Sequence, residues 1–207
     1  DLMQRIPSIR RLLHVDCPPA RARELMADGR TVSLHGFGSA LHALTLPFRT
    51  WRLPASALQA NNHWLVRRAL DQDRGYAGAA MIAWQIHCQR RWLAQIRPET
   101  VFWPWENHGW ERSFCRDLRR AGGRSVGYQH SVVGQQWNLG PGSNPDGAES
   151  LPDTIICNGP SGYRQLLGAG HPESRLVIGG AHRFPAAKPI THDPDAPVFV
   201  AVPFDLE

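Results

Sequence analysis

Short apolar runs recur along the chain from residue 31 onward, and helical patterns separate them. Six of these runs are predicted to be strands, over residues 31–34, 100–103, 125–128, 154–157, 176–178 and 198–202. The runs are continuously apolar instead of alternating, which is typical of strands that are covered on both faces. Strands that alternate with helices in this way predict an α/β fold with a doubly wound, mostly parallel sheet of the Rossmann-like type.

Five helices are predicted from apolar residues spaced three or four positions apart. They cover residues 6–14, 19–28, 74–96, 110–121 and 160–168. Pro98 follows the third helix and Gly122-Gly123 follows the fourth, and both residue types commonly stand just beyond the end of a helix. The last three helices lie between predicted strands, as an α/β pattern requires.

Two segments interrupt this alternation. Residues 135–152 are rich in Gly, Pro, Asn and Ser and are predicted to form a long loop, a kind of loop that often carries function. Residues 185–197 contain four prolines and are predicted to be an interdomain linker. We therefore expect one Rossmann-like domain over residues 1–184 and, at 198–207, the first strand of a second domain that belongs to a longer protein.

The composition is that of an ordinary globular protein. The 207 residues are 42% hydrophobic and 20% charged, which excludes disordered, coiled-coil and collagen-like chains. No apolar run approaches the roughly 20 residues that cross a bilayer, and no signal peptide opens the chain. A cytoplasmic location is therefore expected.

The net charge and the cysteine spacing indicate which kinds of ligand are expected. A net charge of +5 raises nucleic acid as a partner. However, 22 of the 23 basic residues are arginines, and they are scattered along the chain, so no nucleic acid is expected and an anionic small molecule stays compatible. The four cysteines include no C-x-x-C pair, so we expect buried free thiols and no metal site.

Polar residues or glycines follow five of the predicted strands directly. These clusters occupy residues 35–39, 104–111, 129–131, 158–161 and 179–183. In a parallel sheet the carboxyl ends of the strands share one edge, and ligands bind in the crevice at that edge. We therefore expect the five clusters to converge on one site.

Glu106 and His130 are the predicted catalytic residues of this site. Partial desolvation beside Trp105 and Trp110 favours a general base at Glu106; the alternative is that Glu106 and Asn107 cap the next helix. His130 can exchange protons near neutral pH. The alternative for His130 is a structural histidine that is bonded to a backbone carbonyl.

The remaining polar positions of the clusters are predicted to bind substrate. They are Asn107, His108, Trp110, Glu111, Gln129, Ser131, Asn158, Gly159, Gly180, His182 and Arg183. Asn158 and Gly159 can present free N–H groups at a helix start, and Arg183 can clamp a phosphate or carboxylate. Each of these roles has an alternative. Asn158 and Gly159 can simply form a turn, Glu111 can be a solvated acid in the first turn of a helix, and Arg183 can form an ion pair. Two D-x-D matches, at 71–73 and 193–195, are attributed to chance, the first because it is expected to precede a helix.

Several of these runs resemble a known family when they are taken together. They are WPWENHGWE at 103–111, GYQHS at 127–131, LPD at 151–153 leading to CNG at 157–159, and VIGGAHR at 177–183. In order and spacing they resemble bacterial surface-carbohydrate (O-antigen or capsule) biosynthesis proteins that are similar to GT-B glycosyltransferases. The resemblance covers about residues 100–184. It departs at His108, because the family usually has an Asn-Gln pair after the glutamate.

The resemblance implies a glycosyltransferase that moves a sugar from a nucleotide-activated donor onto a surface polysaccharide or a lipid-linked glycan. This chain would supply the acceptor-side domain and would be inactive without its C-terminal domain. The implied partners are the nucleotide sugar, the glycan acceptor and that missing domain, with no further cofactor. Two alternatives stay open, a nucleotide-sugar epimerase of the same fold and a non-catalytic sugar-binding module. Contact with the cytoplasmic membrane face is also left open.

Overall fold

Parallel strands in two sheets carry the fold, which a computed structural model describes for residues 2–14, 18–51, 63–73, 76–130, 147–181 and 194. The strands are β1 (Arg11–Leu13), β2 (Thr31–Ser33), β3 (Thr100–Pro104), β4 (Arg124–Tyr128), β5 (Thr154–Cys157) and β6 (Leu176–Ile178). The helices are α1 (Leu2–Arg5), α2 (Pro19–Met26), α3 (Ala40–Trp51), α4 (His63–Asp73), α5 (Ala77–Ile96), α6 (Gly109–Arg120) and α7 (Pro160–Gly168). Short 3₁₀ turns cover Leu34–Phe37, Ala148–Ser150 and Glu173–Arg175.

The larger sheet contains β3, β4, β5 and β6 side by side in chain order, and all neighbours are parallel. β1 and β2 form a separate parallel pair. The register pairs Pro104 with Tyr128, Tyr128 with Ile156, and Cys157 with Ile178. The carboxyl ends of the four strands therefore lie at one edge, which we call the carboxyl edge.

The predicted α/β fold with parallel strands is confirmed. Each of the five predicted strands in the described residues is present to within one residue at either end. A doubly wound sheet also requires the strand order to reverse, and the order β3-β4-β5-β6 contains no reversal. The doubly wound, GT-B-like topology therefore stays a prediction. The strand at 198–202 and the linker at 185–197, apart from Pro194, lie outside the described residues.

The prediction of a helix over residues 6–14 is wrong. α1 ends at Arg5, two residues before Pro7, and Arg11–Leu13 pairs with Thr31–Ser33 as a strand. The backbone N–H of Arg11 also donates to the carbonyl of Arg30 at 2.9 Å. Pairing with a strand twenty residues further along the chain gives this segment an extended conformation, although its apolar spacing is that of a helix.

Three helices, α1, α3 and α4, were not predicted. α3 contains Pro47 in its interior, a residue that usually breaks helices because it removes one backbone hydrogen bond. α4 ends at Asp73, so the D-x-D match at 71–73 forms the end of one helix, and it precedes the next helix, α5, as expected. In the described residues, no helix is long and apolar enough to cross a membrane.

The core lies between the larger sheet and helices α5, α6 and α7. Phe114 of α6 is buried there, with the Trp103 ring edge-on at 5.4 Å and the Trp92 ring at 6.2 Å. Cys88, Cys115 and Cys157 are buried free thiols, as predicted, and Cys17 lies outside the described residues. Burial raises the pKa of Cys88 to about 11 and that of Cys115 to about 12, so neither thiol is ionised at neutral pH.

Asp153 joins α6 to the first residues of β4. Its Oδ2 accepts the Ser125 N–H at 2.9 Å and the Ser125 hydroxyl at 2.6 Å, and its Oδ1 accepts Arg119 Nε–H at 3.2 Å. Burial by itself would raise the pKa of Asp153, but the hydrogen bonds from Ser125 and Arg119 outweigh burial and lower this pKa. The ionised carboxylate is therefore a structural tie between helix and sheet.

We expect Asp153→Asn to lower the free energy of unfolding at pH 7 by about 2 kcal/mol. The uncharged amide has only one oxygen, so it cannot accept the hydrogen bonds from both Arg119 and Ser125 as the carboxylate does. A depressed pKa in the folded state adds stability above the unfolded-state value of about 3.9, and this stability is lost as the pH falls below it. Urea unfolding at pH 7 and pH 3 should therefore give a smaller difference between variant and wild type at pH 3. The control is Glu24→Gln, an exposed carboxylate paired with exposed Arg21, which should leave stability unchanged. An equal effect at both pH values would contradict the assignment.

Candidate functional site

The carboxyl edge of the larger sheet holds the polar clusters that follow β3, β4, β5 and β6. The chain continues from the strands to Glu106, His130, Asn158 and Gly180 respectively. Because the register places the last residues of these strands side by side, the four clusters lie at the same edge. The Tyr128 hydroxyl donates to the Gly180 carbonyl at 3.1 Å and so links the end of β4 to the segment after β6.

Glu106 lies between two histidines. Its Oε2 is 2.8 Å from His108 Nε2 and its Oε1 is 3.1 Å from His130 Nε2. His108 is two residues away on the same turn, whereas His130 comes from the end of the neighbouring strand. The side chains are 38% exposed for Glu106, 53% for His108 and 29% for His130, so a solute can reach all three. The structure thus brings the two predicted catalytic residues together, and we call this set the Glu106 triad.

The Glu106 triad can move a proton. An imidazole nitrogen that contacts an ionised carboxylate carries the hydrogen and donates it. Each Glu106 oxygen faces one imidazole nitrogen, and an ionised carboxylate only accepts hydrogen bonds, so the donor at each contact is the histidine. A carboxylate held in one orientation and open to solvent on one side has the geometry of a general base.

The turn that carries Glu106 is held by Glu111, at the third position of α6. The Glu111 carboxylate accepts the backbone N–H of Glu106 at 3.2 Å, the backbone N–H of His108 at 2.5 Å and the indole N–H of Trp103 at 3.1 Å. Asn107, between these donors, is 2% exposed and adopts a positive φ of 60°, a region that non-glycine residues enter at some cost. Glu111 therefore holds an uncommon backbone conformation in place.

Glu111 is only 1% exposed, and its contacts give it a positioning role for the turn, while the prediction that it binds substrate stays a prediction. Burial raises the pKa of the Glu111 carboxyl, and the hydrogen bonds from Glu106, His108 and Trp103 oppose this rise without cancelling it. The burial of this carboxylate is tolerated because three N–H groups donate hydrogen bonds to it. The alternative that Glu111 is a solvated first-turn acid is wrong, because the side chain is buried.

Asn107 and Gln129 are also buried, each with 2% of its surface exposed, and their predicted contact with substrate stays a prediction. The Gln129 Oε1 accepts the Asn158 N–H at 3.3 Å. A methyl group added at Gly162 would lie 2.4 Å from that same oxygen, so the Gln129 amide would have to move to admit any larger residue. The buried Gln129 side chain thus joins the end of β4 to the residues that precede α7.

Other predicted residues are distributed around this edge. Asn158, Gly159 and Gly180 are half-buried, and Gly180 has a φ of 85°, which favours glycine. Trp110 is half-buried and its ring lies 4.0 Å from that of His14. Ser131, His182 and Arg183 lie outside the described residues, so their roles stay predictions.

The cluster at 35–39 is placed differently from the other four. It follows β2, which belongs to the smaller sheet, and the His35 Nδ1 accepts the Trp84 indole N–H at 2.8 Å. Nearby, the rings of His42 and His87 stack at 3.7 Å. His14, His42 and His87 were not predicted as site residues, because none of them directly follows a predicted strand. Burial is the main cause of the lowered pKa of His14, which falls to about 4, and a charge on His35 lowers it further.

Among the described residues, no group of three His, Cys, Asp or Glu side chains is placed to hold a metal ion.

Comparison with known proteins gives no match. Neither a family model, nor a curated protein, nor a solved structure is similar to this chain.

Proposed function

We propose that this chain is the acceptor-side domain of a GT-B-type glycosyltransferase, with Glu106 as the general base. One observation carries the proposal. A solvent-accessible carboxylate lies between two imidazoles at the carboxyl edge of a parallel sheet, which is where α/β proteins place their ligand sites. The order and spacing of the runs at 103–111, 127–131 and 177–183 support the choice of sugar transfer.

The proposed step balances as follows. Glu106 removes the proton of an acceptor hydroxyl, and the hydroxyl oxygen forms a bond to the anomeric carbon of the donor sugar. The bond from that carbon to the nucleotide phosphate oxygen breaks, and the nucleotide leaves with the electron pair. Glu106, whose side chain is 38% exposed, then releases the proton to water. The nucleotide itself is assigned to the further domain that a GT-B enzyme needs.

His130 has a second role in this proposal. Its contact with Glu106 joins the ends of β3 and β4, so the carboxylate cannot turn away from the edge when an acceptor arrives. Holding a base in a fixed orientation lowers the entropic cost of the reaction. His130 is therefore assigned both orientation of Glu106 and stabilisation of its charge.

The test is acceptor-dependent release of nucleotide by the longest form of this protein. A panel of nucleotide sugars is incubated with and without surface-glycan acceptors, and free nucleotide and donor sugar are followed by chromatography and NMR. Release that requires the acceptor supports the proposal. Conversion of the donor sugar without any acceptor would favour an epimerase. Glycan binding without turnover would favour a non-catalytic module.

A further inference from the structure

Helix α3 presents its large apolar side chains to solvent. Leu41 is 74% exposed, Leu44 is 73% exposed and Phe48 is 75% exposed. On a helix these positions, three and four residues apart, lie on one face. We call the strip formed by Leu41, Leu44 and Phe48 the α3 apolar face. A contiguous exposed apolar strip on a helix marks a surface that a partner covers.

The opposite side of α3 is held by polar contacts to the body of the protein. The His42 ring stacks on His87 of α5 at 3.7 Å, and the Ser39 hydroxyl, just before α3, lies 3.3 Å from His87 Nε2. Thr50, at the far end of α3, is buried. His42 and Thr50 therefore face the body of the protein, and the α3 apolar face points away from it.

The segment of the chain that contains α3 is strongly cationic. The segment from residue 29 to residue 98 has nine arginines and two acidic residues, a net charge of +7, whereas the rest of the chain carries −2. Within this segment arginines outnumber acidic residues, although Arg90 is paired with Asp117 of α6 at 2.6 Å. Neither α3 nor α5 contains an acidic residue, and Arg49 is exposed directly beside Phe48. An apolar strip in an unbalanced cationic segment fits an anionic surface.

We propose that α3 docks this protein on the surface of an anionic membrane, with the α3 apolar face in the headgroup region. A helix of 12 residues is about 18 Å long, and such amphipathic helices lie in the plane of the interface. Arg49 stands next to Phe48 in the sequence, and its Nη1 lies 3.4 Å from His42 Nδ1. In the docked state we expect this exposed basic side chain to turn toward lipid phosphates.

Two other partners fit the observations less well. A second copy of this chain would bring two segments of net charge +7 together, and like charges across an interface oppose association. Nucleic acid would engage Arg49 and its neighbours but would leave Leu41, Leu44 and Phe48 without a role, because backbone binding uses phosphate contacts. The membrane proposal uses both the apolar strip and the charge, and it does not depend on the proposed enzymatic activity.

The experiment is vesicle flotation of the purified protein. Vesicles of phosphatidylcholine alone are compared with vesicles that contain one third phosphatidylglycerol. We expect at least about tenfold stronger binding to the anionic vesicles, and weaker binding as salt is raised. The double variant Leu44→Asp, Phe48→Asp should lose about tenfold or more of this binding, and Arg49→Gln about fivefold.

Helix α7 offers matched controls, since Leu167 and Arg164 are both exposed there. Leu167→Asp and Arg164→Gln should bind vesicles as the wild type does. Circular dichroism and thermal unfolding verify folding, and Leu44→Ser, Phe48→Ser replaces the double variant should that variant unfold.

Three outcomes would overturn the proposal. The first is equal binding to neutral and anionic vesicles, or binding that the α3 variants do not change. The second is a dimer, seen by light scattering, that the α3 variants dissociate while vesicles are not bound. The third is α3-dependent binding of a labelled oligonucleotide in place of vesicles.

Discussion

Replacing Glu106 by glutamine is expected to reduce turnover by about 100-fold or more, the usual contribution of a general base. The amide keeps the size of the side chain and can still accept a hydrogen bond from His108 or His130, but it cannot take up a proton. Because Glu106 is 38% exposed, we expect the free energy of unfolding to change by less than about 0.5 kcal/mol. The measurements are kcat from nucleotide release and the midpoint of thermal unfolding.

The control for charge is Glu149→Gln, an exposed glutamate in the 3₁₀ turn before β5. It removes the same negative charge away from the triad and should leave kcat unchanged. His130→Asn, which removes one of the two contacts to Glu106, should lower kcat by about tenfold, with little change in KM. Near wild-type turnover in Glu106→Gln would remove this residue from the mechanism, whatever the other variants show.

The carboxyl edge was predictable from the sequence because the runs that form it are short, apolar and continuous. Residues 154–157 and 176–178 are strands with the predicted bounds. Parallel pairing then places the following residues at one edge, whatever lies between them in the chain. That logic brought Glu106 and His130 together from positions 24 residues apart, and their side chains are 3.1 Å apart.

The burial of Glu111 and Gln129 was not predictable in the same way. Local pattern identifies them only as polar residues next to strands or in the first turn of a helix. Their burial depends on donors from other parts of the chain: Trp103 for Glu111, and the N–H of Asn158 for Gln129, 29 residues away. A buried polar side chain is acceptable only where such partners exist, and its own neighbourhood in the sequence does not name them.

Helix α3 illustrates a different limit of pattern. Helical periodicity can establish that Leu41, Leu44 and Phe48 share a face. It carries no information on whether that face meets the core or the solvent, and here the face is exposed. The inward side is set by the stacking of His42 on His87, a contact between residues 45 positions apart.

Replacing Glu111 by alanine is expected to destabilise the fold by about 3 kcal/mol, because three N–H donors lose a charged acceptor at once. The donors are the Trp103 indole and the backbone of Glu106 and His108. Two of them belong to the turn that holds Asn107 at a φ of 60°, and without Glu111 this turn should relax. Denaturant unfolding at pH 7 measures the loss, and Glu173→Ala, an exposed glutamate that contacts Tyr163, is the control for removing a carboxylate.

The variant Glu111→Gln separates charge from shape and gives this prediction a pH dependence. The pKa of Glu111 is raised in the folded protein, so the folded state binds the proton more tightly than the unfolded chain does. Its contribution to stability is therefore fully present below the ordinary pKa of about 4.3 and is lost as the pH rises through the raised value. Glutamine does not titrate, so the stability difference between wild type and Glu111→Gln should be larger at pH 4 than at pH 8.

Activity distinguishes a positioning residue from one that is only structural. If Glu111 places Glu106 through the turn, then Glu111→Gln should lower kcat while KM stays within about twofold of wild type, since the groups that bind the acceptor are unchanged. The loss should persist at temperatures well below the unfolding midpoint. A variant with lowered stability and unaltered kcat at such temperatures would show that Glu111 supports the fold alone, and that the orientation of Glu106 is maintained by His108 and His130 without it.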